Sequence, residues 1–140
     1  MSNILVDTSI WIHYFNNSDN KAKNIKTLLD DNLVCTNDII LTELIPFLKH
    51  EKQNDIIELL LSLRCYKIEI DWNKIQFYQY LNIKNGINAV GIPDLIILQN
   101  TLDNDLIIYS NDKHFQVMNS IHDFRRYKEK SGQQAGGADK

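Results

Sequence analysis

Short runs of branched apolar residues with no polar alternation constrain this chain more than any other feature. Ile4-Leu5-Val6 and Leu106-Ile107-Ile108-Tyr109 cannot serve as strands with one wet face. Strands of this kind need cover on both sides. Helix-length segments between successive strands supply that cover, and also the long return path that a parallel pair requires. The expected fold class is therefore α/β, a three-layer α/β/α arrangement around a central parallel sheet.

The remaining segments fit this scheme. Thr8-Ser9 offer caps for a helix carrying Ile10, Trp11, Tyr14 and Phe15, which Asn16-Asn17-Ser18 breaks. Asp19 to Asp31 reads as a surface helix, and Leu33 to Thr36 as a second strand. Asn37 or Asp38 caps a helix through Ile40, Leu41, Leu44 and Phe47, which Pro46 is expected to kink or end early. Asn54 to Leu63 carries more apolar surface than one helix face can hide, which predicts contact with another chain. Tyr66 to Ile70 alternates as a strand, and Trp72 to Ile83 forms a helix with a left-handed cap near Asn85-Gly86. Pro93 opens a buried helix from Asp94 to Leu102. A strand over Asp105 to Tyr109, a short helix through Phe115 and Met118, and a last strand near Phe124 to Tyr127 complete the pattern.

At 140 residues the chain has the size of one domain, read here as residues 1–128, with residues 129–140 a polar, Gly/Gln/Ala-rich disordered tail. No stretch reaches the roughly 18 apolar residues of a membrane span, and no basic region leads into a signal-peptide core, so a cytoplasmic protein is expected. Cys35 and Cys65 show neither zinc-ligand spacing nor a disulfide framework and read as buried thiols. Trp11 and Trp72 read as core. The net charge of −3 argues against a broad cationic surface for nucleic acid. An RNA substrate would then depend on bound cations and on local basic residues, for which Lys49, Lys52, Lys113, Arg125 and Arg126 are candidates.

Four acids carry the chemistry. Asp7 closes the first strand and Asp112 follows the strand ending at Tyr109, so both belong at the carboxyl edge of the sheet, where open α/β sheets hold ligands. Asp94 falls in the first turn of the buried helix, and Glu43 about two turns into the helix after strand two. Clustered carboxylates repel unless some take up protons or a divalent cation binds. Oxygen ligands select hard ions such as Mg²⁺ or Mn²⁺, and one or two such ions can drive an in-line phosphodiester displacement. Each acid alone also has an ordinary reading as a cap or a solvated helix residue; their joint placement argues against it. The four histidines share no ligand spacing, and His114 beside Asp112 is the one expected to meet substrate, together with Lys113.

The segment Val6-Asp7-Thr8-Ser9-Ile10-Trp11-Ile12 resembles the opening of PIN domains, most closely that of VapC-type toxins of bacterial toxin–antitoxin pairs. Thr42-Glu43-Leu44, Ile92-Pro93-Asp94-Leu95-Ile96-Ile97 and Leu106 to Phe115 resemble the family's later acids in the same order. The resemblance implies a Mg²⁺- or Mn²⁺-dependent endoribonuclease with strand order 3-2-1-4-5. It also implies a homodimer, held inactive by a small antitoxin on Ile40 to Leu63. Asp7 and Asp94 would be the principal ligands, Glu43 and Asp112 would complete the site, and Thr8, Ser110 and Asn111 would support the acids by hydrogen bonding. Pro46-Phe47 and Ile96-Ile97 depart from the family's smaller residues. A receiver domain lacks support because its paired acids after strand one and its late lysine are missing. An aspartate-nucleophile phosphatase would need an acid where Ser9 stands. A catalytically silent PIN scaffold acting through protein contacts is the remaining alternative.

Overall fold

A computed structural model describes residues 2–16 and 19–129. Five strands, β1 (Ile4–Val6), β2 (Val34–Thr36), β3 (Arg64–Cys65), β4 (Ile107–Tyr109) and β5 (Arg125–Arg126), form one wholly parallel sheet in the order β3-β2-β1-β4-β5. The helices are α1 (Thr8–Phe15), α2 (Asp19–Asp30), α3 (Asp38–His50), α4 (Asn54–Ser62), α5 (Trp72–Lys84), α6 (Ile92–Asp103) and α7 (Lys113–Met118). Every residue of β1 and β2 is buried, so the centre of the sheet is covered on both faces, as the apolar runs require, while the edge strands β3 and β5 are more exposed. No described helix is long and apolar enough to cross a membrane.

Most predicted elements appear within a few residues of their expected bounds. Buried Leu95 to Thr101 confirm the deeply enclosed helix after Pro93, and Gly86 takes the left-handed conformation (φ 78°) that ends α5. Four expectations are corrected. Pro46 does not end α3, which continues to His50. Thr42, whose carbonyl loses its helical partner, is exposed along with Pro46, so water can satisfy the freed group. The third strand is Arg64–Cys65 and not Tyr66 to Ile70. After Tyr66 N donates to Thr36 O (2.9 Å), the chain leaves the ladder and is held by side chains of α6. Asn100 Nδ2 donates to Lys67 O (3.2 Å), Gln99 Nε2 donates to Glu69 O (2.8 Å), and Gln99 Oε1 accepts from Asp71 N (3.0 Å). Cys65 is exposed because β3 is an edge strand, whereas Cys35 is buried. Trp72 lies on the outer side of α5 and is 55% exposed, whereas Trp11 is fully enclosed.

The expected tail falls outside the described residues beyond Glu129, as do Asn17 and Ser18. Glu129 itself packs on the domain, accepting from Tyr109 Oη (2.6 Å) and pairing with Lys21 (3.2 Å).

Candidate metal centre

The site begins where the strand order reverses, between β1 and β4. β1 and β4 are neighbours, with Val6 opposite Tyr109, yet β1 continues toward β2 and β4 continues toward β5. The connections therefore diverge and leave a crevice at the carboxyl edge. Asp7 enters it directly after β1, its backbone N–H still bonded to Tyr109 O (2.9 Å). Ser110, Asn111 and Asp112 follow β4 into the same crevice. Asp94 arrives from the first turn of α6 and Glu43 from the middle of α3.

Hydroxyl groups tie these acids together. Ser110 Oγ donates to Asp7 Oδ2 (2.7 Å) and accepts from Asp112 N (2.9 Å), so one side chain fixes two carboxylate-bearing segments. Ser9 Oγ donates to the same Asp7 oxygen (3.2 Å) and accepts from Asn111 N (3.0 Å). Thr8 Oγ1 donates to Glu43 Oε1 (2.6 Å). Asp112 caps α7 by accepting from His114 N (2.9 Å), so its ordinary role as a cap and its place in the cluster coexist. The hydroxyls of Thr8 and Ser9, predicted to cap α1, are instead turned toward acids; Asp7 stands at the N-cap position without a side-chain cap bond.

Asp94 is the electrostatic hub. Burial raises its pKa above the ordinary carboxylate value; the hydrogen bond from His114 opposes that, and the charges of Asp112 and Glu43 add to the rise. Asp7 is raised chiefly by burial, against the hydrogen bonds of Ser110, Thr8 and Ser9, with a further upward push from Asp94. Both shifts have the sign expected where negative groups are gathered out of water without a counter-charge. His114 Nδ1 lies 3.3 Å from Asp94 Oδ2 and 3.7 Å from Asp112 Oδ1, and one ligand atom from each of Asp94, Asp112 and His114 lies within 4.8 Å of the others. Two carboxylates and an imidazole at that spacing, with two further acids in electrostatic reach, fit a divalent cation.

The four predicted acids are therefore brought to one crevice, with Asp7 and Glu43 outside the tight group that Asp94 and Asp112 make with His114. His114, expected to meet substrate, faces the acids instead. Asn111 supports no acid directly: its backbone N–H bonds Ser9 and its amide meets His13 (3.3 Å). Arg125 does not line the approach, because it is tied to Asp105 (3.1 Å) and Ser2 (2.7 Å), with its strand paired to the start of β4. Lys113 is exposed at the start of α7. Sequence reasoning missed Ser9, since a serine at a helix start reads first as a cap. Its position two residues after an acid that closes a strand was the available signal.

The PIN domain family matches residues 4–120, and the chain belongs to that family of nucleases. Among solved structures, DNA-bound VapBC from Salmonella typhimurium shares 16% identity at a TM-score of 0.70, covering 91% of this chain and 98% of that one. VapBC2 from Rickettsia felis, bound to a promoter DNA fragment, shares 19% identity at a TM-score of 0.63, covering 82% and 92%. VapC20 of Mycobacterium tuberculosis, a sarcin-ricin loop cleaving toxin, shares 15% identity at a TM-score of 0.57, covering 82% and 94%. These similarities extend to the fold. No curated protein matches the chain.

Proposed function

We propose that this protein is a Mg²⁺- or Mn²⁺-dependent endoribonuclease that hydrolyses RNA phosphodiester bonds as the toxin of a toxin–antitoxin pair. The observation that carries the proposal is the convergence of Asp7, Glu43 and Asp112 on Asp94 at the switch point of a PIN fold. A divalent ion in such a crevice supplies a Lewis acid that offsets the charge of the phosphodiester and of its departing oxygen. Asp94 and Asp112 hold the ion, with Asp7 and Glu43 completing the charge around it. Ser110 and Ser9 keep Asp7 aimed inward, and Thr8 keeps Glu43 in place. Lys113 offers a cation to an approaching phosphate.

The antitoxin docks on α3 and α4. Phe47 and Leu61 are exposed there, and a groove of about 410 Å³ between α2 and α4 is lined by Leu29, Leu59 and Leu63 together with the polar Lys26, Asp30 and Arg64. A homodimer forms through α5, whose outer side exposes Phe77, Tyr80 and Ile83.

The test is incubation of the purified chain, free of partner, with total cellular RNA and Mg²⁺ or Mn²⁺, followed by mapping of cleavage ends. Asp7→Asn keeps volume and removes charge, so cleavage is expected to fall by about a hundredfold or more with the fold retained. Equal cleavage by mutant and parent rejects the site, and no cleavage by either leaves the silent scaffold as the reading.

A further inference from the structure

We propose that His114 is itself a ligand of the divalent ion, and that its ring nitrogen makes the centre favour Mn²⁺ over Mg²⁺. This assignment rests on the site holding a divalent ion, as the nuclease reading requires, and names the ion that the same site takes. Adjacent ligand atoms on a six-coordinate ion at about 2.1 Å stand about 3 Å apart. His114 Nδ1 stands 3.3 Å from Asp94 Oδ2 and 3.7 Å from Asp112 Oδ1, close to that spacing before any ion draws the groups together. The ring is also held in place. His114 is the second residue of α7, its backbone N–H bonds Asp112 Oδ1 (2.9 Å), and its side chain is only 34% exposed. A ligand and its neighbouring carboxylate therefore move as one turn of helix.

The donor chemistry decides the ion. Mg²⁺ prefers an all-oxygen shell and gives up water reluctantly, so an imidazole nitrogen adds little to its binding. Imidazole nitrogen is a better ligand for a transition ion than for Mg²⁺, so of the two ions that the nuclease reading names, Mn²⁺ is the one that gains from His114. A second role for His114, donating a hydrogen bond that merely orients Asp94, predicts the same loss of activity on mutation. The two roles differ in whether nitrogen touches the ion.

Pulsed electron paramagnetic resonance of the full chain, partner-free and loaded with Mn²⁺, reads that contact directly. A directly bound nitrogen is expected in the spin-echo modulation, changed by ¹⁵N-histidine labelling and lost in His114→Gln. Calorimetric titration of His114→Gln is expected to show Mn²⁺ affinity reduced about tenfold or more and Mg²⁺ affinity much less affected. Mn²⁺ binding without nitrogen coupling in the labelled parent, or equal weakening for both ions, overturns the assignment and leaves the nuclease reading standing. Failure of the parent to bind either ion overturns both. Because the labelling arm uses the unmutated chain, a variant that fails to fold does not spare the proposal.

Discussion

Ser110 offers the sharpest test at the level of single residues, because its hydroxyl touches both Asp7 and the backbone of Asp112. Ser110→Ala removes a bond that favours the ionised form of Asp7, already raised above the usual carboxylate range by burial. Cleavage is expected to fall about 10- to 100-fold, a common cost for losing a group that orients a side chain of a metal centre. The acid limb of the pH profile of kcat/KM should also move to higher pH, since Asp7 must be ionised to act. An unchanged profile would mean that Ser110 does not tune Asp7. The raised values also carry a stability sign: ionising Asp7 and Asp94 costs the fold, so the metal-free protein loses stability as pH rises above the ordinary value of 3.8 through the raised ones. Asp7, Asp94 and Asp112 were legible in the sequence because each closes or opens an element, so its place in space follows from topology; Glu43, in the middle of α3, was legible mainly through the resemblance of Thr42-Glu43-Leu44 to the family's second acid. The contacts of His114 were not, since they join α7 to the first turn of α6, and no local spacing encodes that approach.

Elements are locked to one another by buried polar side chains, and one such lock predicts an acid response. His122, just beyond α7, places Nε2 2.8 Å from Asn82 Oδ1 on α5, and Asn82 Nδ2 donates to Gln79 Oε1 (3.2 Å). Gln79 Nε2 in turn donates to Val90 O (2.8 Å), in the connection that leads to α6 and Asp94. Burial lowers the pKa of His122 from 6.5, so the fold favours the neutral ring. The stability this contributes is fully present above pH 6.5 and is lost as pH falls toward the lowered value. Denaturant melts at pH 7.5 and pH 5.5 should show a loss in the parent that shrinks in His122→Gln; an equal loss in both would assign the acid response elsewhere. Sequence patterns located the helices well because their apolar spacing and caps are local. They misplaced β3 because the alternating stretch 66–70 meets Gln99 and Asn100 instead of a strand, and alternation does not reveal which partner satisfies a backbone. Pro46 misled for a related reason, since its cost depends on whether the freed carbonyl meets water.

Across the whole molecule, the parallel order puts the acids at one edge of the sheet and leaves α5 with apolar groups on both its inner and outer sides. Ile75 is buried, while Trp72, Phe77 and Tyr80 are 55%, 55% and 56% exposed, and Ile83 is 61% exposed. Each such side chain, half uncovered, presents about 100 Å², so the four reach about half of the roughly 800 Å² per partner of a stable interface. A second copy related by a two-fold axis suits this face, because antiparallel packing of α5 on itself would set Phe77 of each copy near Tyr80 of the other. Sedimentation of the partner-free chain should therefore give twice the 16.3 kDa of one copy. Phe77→Glu with Tyr80→Glu should shift it to a single copy that keeps the folded circular-dichroism spectrum, since both side chains are more than half exposed on one copy. Leu61→Glu, on the face assigned to the antitoxin, should leave the dimer intact. A dimer that survives the paired charges on α5 would place the interface elsewhere, and a parent that sediments as one copy at all concentrations would remove it.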